Sequence, residues 1–364
     1  MVDMSGAQVR IRRETSIPYD PGNKRVQSLP RGMVLRDLAI TLNATITPAT
    51  SAANNTPSNV KRGDEWSLVN RIDIFTNGTE LVRSFSGNEL WWLNYLMFGN
   101  TPNVLPHLAD STTNTAVTSS STLLIPFAMP LAVKPIDTWL DTRKIGDFRI
   151  EVTWGVPSDI TAAAGVTVAN CSLDIYSYAA YAVPTDVRFA GTRIFRTQQT
   201  FSAAGAEQQF QPLGVGPIYR GFIFNTTNTA GTADVAIDSV ISRIQLVSGP
   251  NVYRDIVPST LREFQSLRSD TVKPPILPYA LSGGNPVLWR VAGAGGEIAN
   301  PGYFNLRRSS SNRADAWLFM DMAPDGFLSE SLDSLALSEL VFKLDITNPC
   351  NVNLIPIQTF PIRQ

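Results

Sequence analysis

Hydrophobic and polar residues alternate along much of this chain with a period of two, as strand side chains do when they point to opposite faces in turn. In FRIEVTW (148–154), Phe148, Ile150, Val152 and Trp154 fall on one side and Arg149, Glu151 and Thr153 on the other. FKLDITN (342–348) repeats this with Phe342, Leu344 and Ile346 against Lys343, Asp345 and Thr347. MVLRDLAITLNATIT (33–47) alternates through Leu38, Ile40 and Leu42. LVNRIDIFTNGTELVR (68–83) sets Asn77-Gly78 between two alternating segments, and that pair accepts the positive φ of a type I′ turn, so a hairpin is expected. SGNELWWLNYLMFG (86–99) has helical spacing instead. Ser86 and Glu89 form a capping box, Leu90, Leu93 and Met97 share a face, and Gly99 can end the helix. Trp91 and Trp92 are adjacent and cannot both face one core. One is expected inside and the other, taken as Trp92, against a neighbouring unit or at the rim.

The same order of elements returns in the second half. ISRIQLVSGPNVYRDIVPSTLREFQSL (241–267) again has Arg-Ile-polar-aliphatic, a Gly-Pro-Asn turn, a returning strand with an arginine, and a capping box, here Thr260 and Glu263. TLLIPFAMP (122–130) corresponds to AWLFMDMAP (316–324), with Pro130 and Pro324 separated by 194 residues, the same offset as Phe148 and Phe342. VLRDLAI (34–40) pairs with IYRGFIF (218–224), and CSLDIYSY (171–178) with CNVNLIPI (350–357). These are two tandem copies of one unit, too few and too large for a solenoid. Strands separated by turn signals, with a single short helix per copy, predict an all-β sandwich of about eight strands per copy. The join falls within 181–200, giving units at 32–190 and 191–364. Residues 1–31 hold six Lys/Arg against three Asp/Glu without sustained periodicity, and are expected to form an N-terminal arm. The largest difference between copies is a Gly/Pro/Ser-rich insertion over 268–313.

Composition fits this picture and narrows the chemistry. The 364 residues are 43% hydrophobic and 17% charged, with 25 Pro and 24 Gly, as suits strands, turns and self-associating surface. A net charge of −1 offers no global field for nucleic acid. Cys171 and Cys350 lack metal-type spacing and are read as buried thiols. The apolar run 123–133 is half a membrane span and contains two prolines, and no signal-peptide core opens the sequence, so a reducing cytosol is the expected site of synthesis. The one histidine, His107, has no G-x-S-x-G elbow beside it, and GAGG (293–296) lacks the lysine of a phosphate loop. Glu151 and Asp345 could serve as a glycosidase pair, but Arg149 and Lys343 two positions back on the same strand face favour ion pairs. The sequons at Asn43, Asn77, Asn170 and Asn225 read as turn and strand-edge composition. Neither an enzyme nor a cofactor or metal is expected.

The twice-written order of opening strand, hairpin, short helix (SGNELWWLNYL, PSTLREFQSL), long loop, proline-ended strand, FRIEVTW/FKLDITN strand and closing strand resembles the double jelly-roll major capsid proteins of tailless icosahedral viruses, especially the tectivirus-like, membrane-containing bacteriophage type. It covers residues 32–360. The resemblance implies two tandem eight-stranded jelly-roll β-sandwiches, homotrimeric pseudo-hexagonal capsomers, a place in the virion shell, and partners among penton and minor capsid proteins. It implies tower or inter-capsomer loops at 100–121, 155–169 and 268–313. It also implies an arm on the inner face, where Arg10, Arg12, Arg13, Lys24 and Arg25 would meet an internal membrane or the genome. Arg149, Glu151, Lys343, Asp345 and Trp92 are candidate contacts between one jelly roll and the next. A receptor- or glycan-binding β-sandwich protein of a virion spike or cell surface is the alternative, with its site in the 268–313 loop.

Overall fold

The structure is a computed structural model that describes residues 7–47, 64–98, 116–129, 132–160, 165–184, 189–262, 280–282, 285–287 and 314–360. The first half contains β1 (Gln8–Pro18), β2 (Lys24–Ser28), β3 (Val34–Thr47), β4 (Val69–Thr76), β5 (Glu80–Phe85), helix α1 (Gly87–Phe98), β6 (Val117–Pro126), β7 (Leu140–Asp141), β8 (Phe148–Trp154) and β9 (Thr167–Tyr181). The second contains β10 (Gly191–Phe195), β11 (Thr197–Phe201), β12 (Gly205–Gln209), β13 (Ile218–Thr227), α2 (Ile237–Val240), β14 (Ile241–Ser248) and β15 (Asn251–Ile256). It continues with the small hairpin β16 (Ala280–Ser282) and β17 (Asn285–Val287), then β18 (Trp317–Asp321), β19 (Leu332–Asp333), β20 (Val341–Ile346) and β21 (Cys350–Phe360).

In the first half one sheet runs β1-β9-β3-β6 and the facing strands run β5-β4-β8-β2. In the second the orders are β11-β21-β13-β18 and β15-β14-β20-β12. Strand for strand these are the same, so each half is an eight-stranded sandwich of one topology. The short β7 and β19 also correspond, pairing with the starts of β3 and β13. β10 is extra. It lies antiparallel to β21 on one side and parallel to β5 on the other, and so joins strands of both sandwiches into one ten-stranded sheet.

Residues 8–28 differ from the expected arm. They form β1 and β2, one strand for each sheet of the first sandwich. The pattern hides them because both lie at sheet edges: of β1 and β2 only Ile17 is fully buried, so no alternation of apolar and polar residues is required of them. The hairpin and the helix cap form where expected, with the ladder closing at Thr76 and Glu80 across a three-residue turn. Asn77 and Gly78 have φ of 51° and 84°. The Ser86 amide donates to Glu89 Oε2 at 2.8 Å, and the Glu89 amide donates to Ser86 Oγ at 3.2 Å. In the second unit the corresponding helical turn starts earlier than expected, over 258–262, so Thr260 lies within it rather than capping it; Glu263 is outside the described residues.

The inward residues Phe148, Ile150, Val152 and Trp154 are buried, as are Phe342, Leu344 and Ile346. Their alignment nevertheless shifts. Ile72 lies opposite Val152 whereas its counterpart Ile244 lies opposite Leu344, so by register Val152 matches Leu344 and Ile150 matches Phe342, an offset of 192 rather than 194. A slip of two keeps every inward side chain inward, so the pattern alone could not detect it. One core fills the second sandwich, around Phe222, Phe224, Phe342 and Leu354. The other fills the first sandwich and continues across the seam to Ile194, Ile223, Trp317, Phe319, Ile355 and Ile357.

Asp37 on β3 is a nearly buried carboxyl at the edge of the core. Burial pushes its carboxyl up to about 6, against the pull of Arg36 and Arg83. A raised carboxyl stabilises the fold below its unfolded value, and this contribution is lost as pH rises through the folded one. Relative to the wild type, Asp37→Asn should therefore gain about 2 kcal/mol between pH 4 and pH 7, the size a shift of about two units implies. Urea midpoints of both proteins at the two pH values measure this; parallel changes would contradict it.

Candidate functional site

Among the described residues, a set of buried charged and aromatic side chains meets at the seam between the sandwiches. Arg83 of β5 is fully buried there. Its Nε donates to Pro126 O at 2.8 Å, Nη1 to Val82 O at 2.7 Å and Thr192 O at 2.6 Å, and Nη2 to Thr192 Oγ1 at 2.6 Å. The guanidinium also lies 4.8 Å over the Phe127 ring. Burial lowers its pKa to about 9, and the nearby Asp37 opposes this, so Arg83 is a cation at neutral pH. Its hydrogen bonds satisfy the charge on both sides of the β5–β10 junction. At the surface above, Arg193 pairs with Glu80 and Arg196 donates to Glu89 at 2.9 Å, so the carboxylate that caps α1 also binds the entry to the second unit.

α1 completes the seam. Trp92 is fully buried and stacks on Trp317 of β18 with ring centroids 5.5 Å apart and planes at 17°, while Trp91 meets Trp92 edge-on at 4.9 Å. Both tryptophans are buried, because the helix is covered on one side by its own sandwich and on the other by the outer face of β13, β18 and β21. β13 and β21 are accordingly buried on both faces, Phe222 and Phe224 inward and Ile223 toward the seam.

The other candidate inter-jelly-roll residues do not reach across the seam. Arg149 donates to Glu151 at 2.9 Å and Asp147 at 2.8 Å and stacks on Phe75, and Glu151 also pairs with Lys24. Burial raises the Glu151 carboxyl, but the bonds from Lys24 and Arg149 leave it below its ordinary value. Lys343 pairs with Glu207 at 3.2 Å, and Asp345 accepts from the Glu207 amide at 2.6 Å. Each of these pairs lies within its own sandwich, so Glu151 and Asp345 sit on different sandwiches rather than across one cleft.

The basic residues of the expected arm divide between the two sheets. Arg10, Arg12 and Arg13 are on β1, where Arg10 lies 5.4 Å over Tyr181, Arg12 is 3.8 Å from Glu14 and Arg13 donates to Asp174 at 2.9 Å. Lys24 and Arg25 are on β2, in the other sheet, and Arg25 pairs with Asp20 at 2.8 Å. One contiguous basic face through all five is thus not formed. His107, GAGG and most of the expected loops 100–121 and 268–313 lie outside the described residues, whereas 155–169 is described apart from 161–164 and forms a 3-10 turn at Pro157–Asp159 before β9 begins at Thr167. Among the described residues there is no group of three His, Cys, Asp or Glu that could hold a metal, and no helix long and apolar enough to cross a membrane. Cys171 and Cys350 are unpaired with each other, and burial raises their thiols to about 12 and 11. A cleft of about 410 Å³ opens beside the seam between Asn77, Glu80, Trp139, Asp141, Arg193 and Phe360, and its charged walls are already paired, Glu80 with Arg193 and Asp141 with Arg143.

Pattern reading missed Arg83, Thr192 and Trp317. The one available signal was the arginine repeated in the returning strands, Arg83 and Arg254.

Backbone comparison finds the same architecture over nearly the whole chain. The STIV MCP crystal structure matches with TM-score 0.66 at 12% identity, covering 97% of both chains. The double jelly-roll fold is shared. A chain from the atomic structure of Sulfolobus Turreted Icosahedral Virus matches this double jelly roll at 0.65 and 13% identity, over 97% of this chain and 91% of that one. The major capsid protein P2 from Bacteriophage PM2 matches at 0.56 and 12% identity, over 98% of both. No family model matches the sequence, and no curated protein matches it. Identities this low establish fold and leave function to be argued from the double jelly roll itself.

Proposed function

We propose that this double jelly roll is a major capsid protein that self-assembles as homotrimeric, pseudo-hexagonal capsomers and builds an icosahedral virion shell. The observation that carries the reading is the seam: two sandwiches of the same strand order are joined by β10, Arg83 and the Trp92–Trp317 stack. Such a pair presents similar sides twice, so three copies around an axis offer six near-equivalent faces. Full-length likeness to proteins described as major capsid proteins supports the same reading. The proposed role is structural, with no catalysis, and the location is the virion, after synthesis in the host cytoplasm. Penton or minor capsid proteins would meet the capsomer at its outer sides. The division of the five basic residues between two sheets weakens the membrane- or genome-contacting arm as a part of this proposal.

Light scattering on the purified full-length chain should give three times the chain mass, and negatively stained particles should show a hexagonal outline. A stable monomer at high concentration, or saturable binding on a glycan array without any assembly, would overturn the proposal.

A further inference from the structure

The two sandwiches are covered unequally, and the difference identifies what is missing. The first half of β1 is the repeat counterpart of β10. Gln8 opposes Tyr181 at the end of β9 as Gly191 opposes Phe360 at the end of β21. Ile11 opposes Tyr178 and Ile194 opposes Ile357, and those two partners themselves correspond, lying opposite Asp37 and Gly221. Arg10 stacks over Tyr181 as Arg193 does over Phe360. The sequences agree as well, VRIRR against TRIFR.

The second edge of β10 pairs in parallel with β5, Ile194 beside Arg83 and Phe195 beside Ser84, and Ile194 is fully buried. Among the described residues β1 pairs only with β9, and Ile11 is 72% and Val9 49% exposed. The strand equivalent to β5 is β15, since Arg254 lies opposite Leu246 as Arg83 lies opposite Ile74. Arg254 Nη1 donates to the preceding carbonyl, of Tyr253, just as Arg83 Nη1 donates to that of Val82. β15 is an edge strand whose described pairing is to β14 alone, and its Val252 is 54% exposed. Each molecule therefore carries, β1 on the first sandwich and β15 on the second, the two halves of a junction it has already formed once within itself.

We infer that β1 of one copy adds to β15 of a second copy as a parallel strand, with Ile11 beside Arg254 and Arg12 beside Asp255, reproducing the β10–β5 junction between chains. The inference rests on the capsomer reading and deepens it by naming the contact. Free strand edges offer unpaired backbone donors and acceptors to a second strand, and Arg12 would join Arg243 and Gln245 around the Asp255 carboxylate, which they already hold at 2.6–3.0 Å. The contact is head-to-tail, so it must close into a ring or run on as a filament. Arg10, Arg12 and Arg13 then belong to a contact between copies.

The test is a cysteine pair, Arg12→Cys with Asp255→Cys, in the full-length chain. Adjacent parallel-strand positions fall within the Cα separation a disulfide bridges. Mild oxidation should give a covalent three-chain species on non-reducing electrophoresis, absent from either single variant. Trimers in light scattering without this species would overturn the inference and leave the capsomer reading standing; monomers would overturn both. Independently, Ile11→Asp, at a solvent-exposed position, should weaken association at least tenfold while the circular dichroism of the chain is unchanged. Association as tight as the wild type's would overturn the inference.

Discussion

Replacing Trp92 with alanine should lower stability by about 4 kcal/mol, the range for deleting a fully buried large aromatic side chain. The loss has two parts. The cavity would open beneath α1, where the indole is sealed between Trp91 and Trp317, and the stacked pair contributes beyond its buried area. Because the stack spans the seam, the variant should also separate the two sandwiches energetically. Urea unfolding followed by tryptophan fluorescence and by circular dichroism should show coincident transitions in the wild type and two distinct ones in Trp92→Ala. Trp317→Ala should give the same pattern, and the double variant should lose less than the sum of the two, since both remove one contact. Strict additivity would contradict the stack as the coupling element.

Arg83→Met should cost about 3–5 kcal/mol although the new side chain is apolar and similar in length. Methionine would end the desolvation of a buried cation, a gain in itself, but Pro126 O and the Thr192 carbonyl would then face a buried site without their donors. Arg83→Lys should recover only part of the loss, because a single ammonium cannot reproduce donation from three nitrogens in one plane. The readout that separates this from a general packing defect is hydrogen exchange: amides of β10 should lose protection first, ahead of those of β9 or β13. Uniform loss across both sandwiches would contradict a local role at the junction.

Much of this was legible beforehand because strands and hairpins are written locally. The Asn77-Gly78 turn, the Ser86–Glu89 cap and the inward set Phe148, Ile150, Val152 and Trp154 each depend on neighbours within a few residues, and each is found as expected. The doubling was legible for the same reason, since two copies carry the same local signals in the same order. β1 and β2 were not. An edge strand with one free side and a wet face has no apolar rhythm to keep, so its sequence resembles that of a charged tail. The seam was equally hidden: Trp92 and Trp317 are 225 residues apart, and nothing near either one marks the other.

The sequence by itself determined that the chain is all-β and written twice, because periodicity and turn chemistry act over short range. Only the tertiary structure decided the two-residue slip between FRIEVTW and FKLDITN, the strand role of residues 8–28, and the joining of both halves through β10. Those depend on which edge meets which edge. A period-two pattern is unchanged by a shift of two and silent about what lies beside a strand, so that information exists only once the partners are in place.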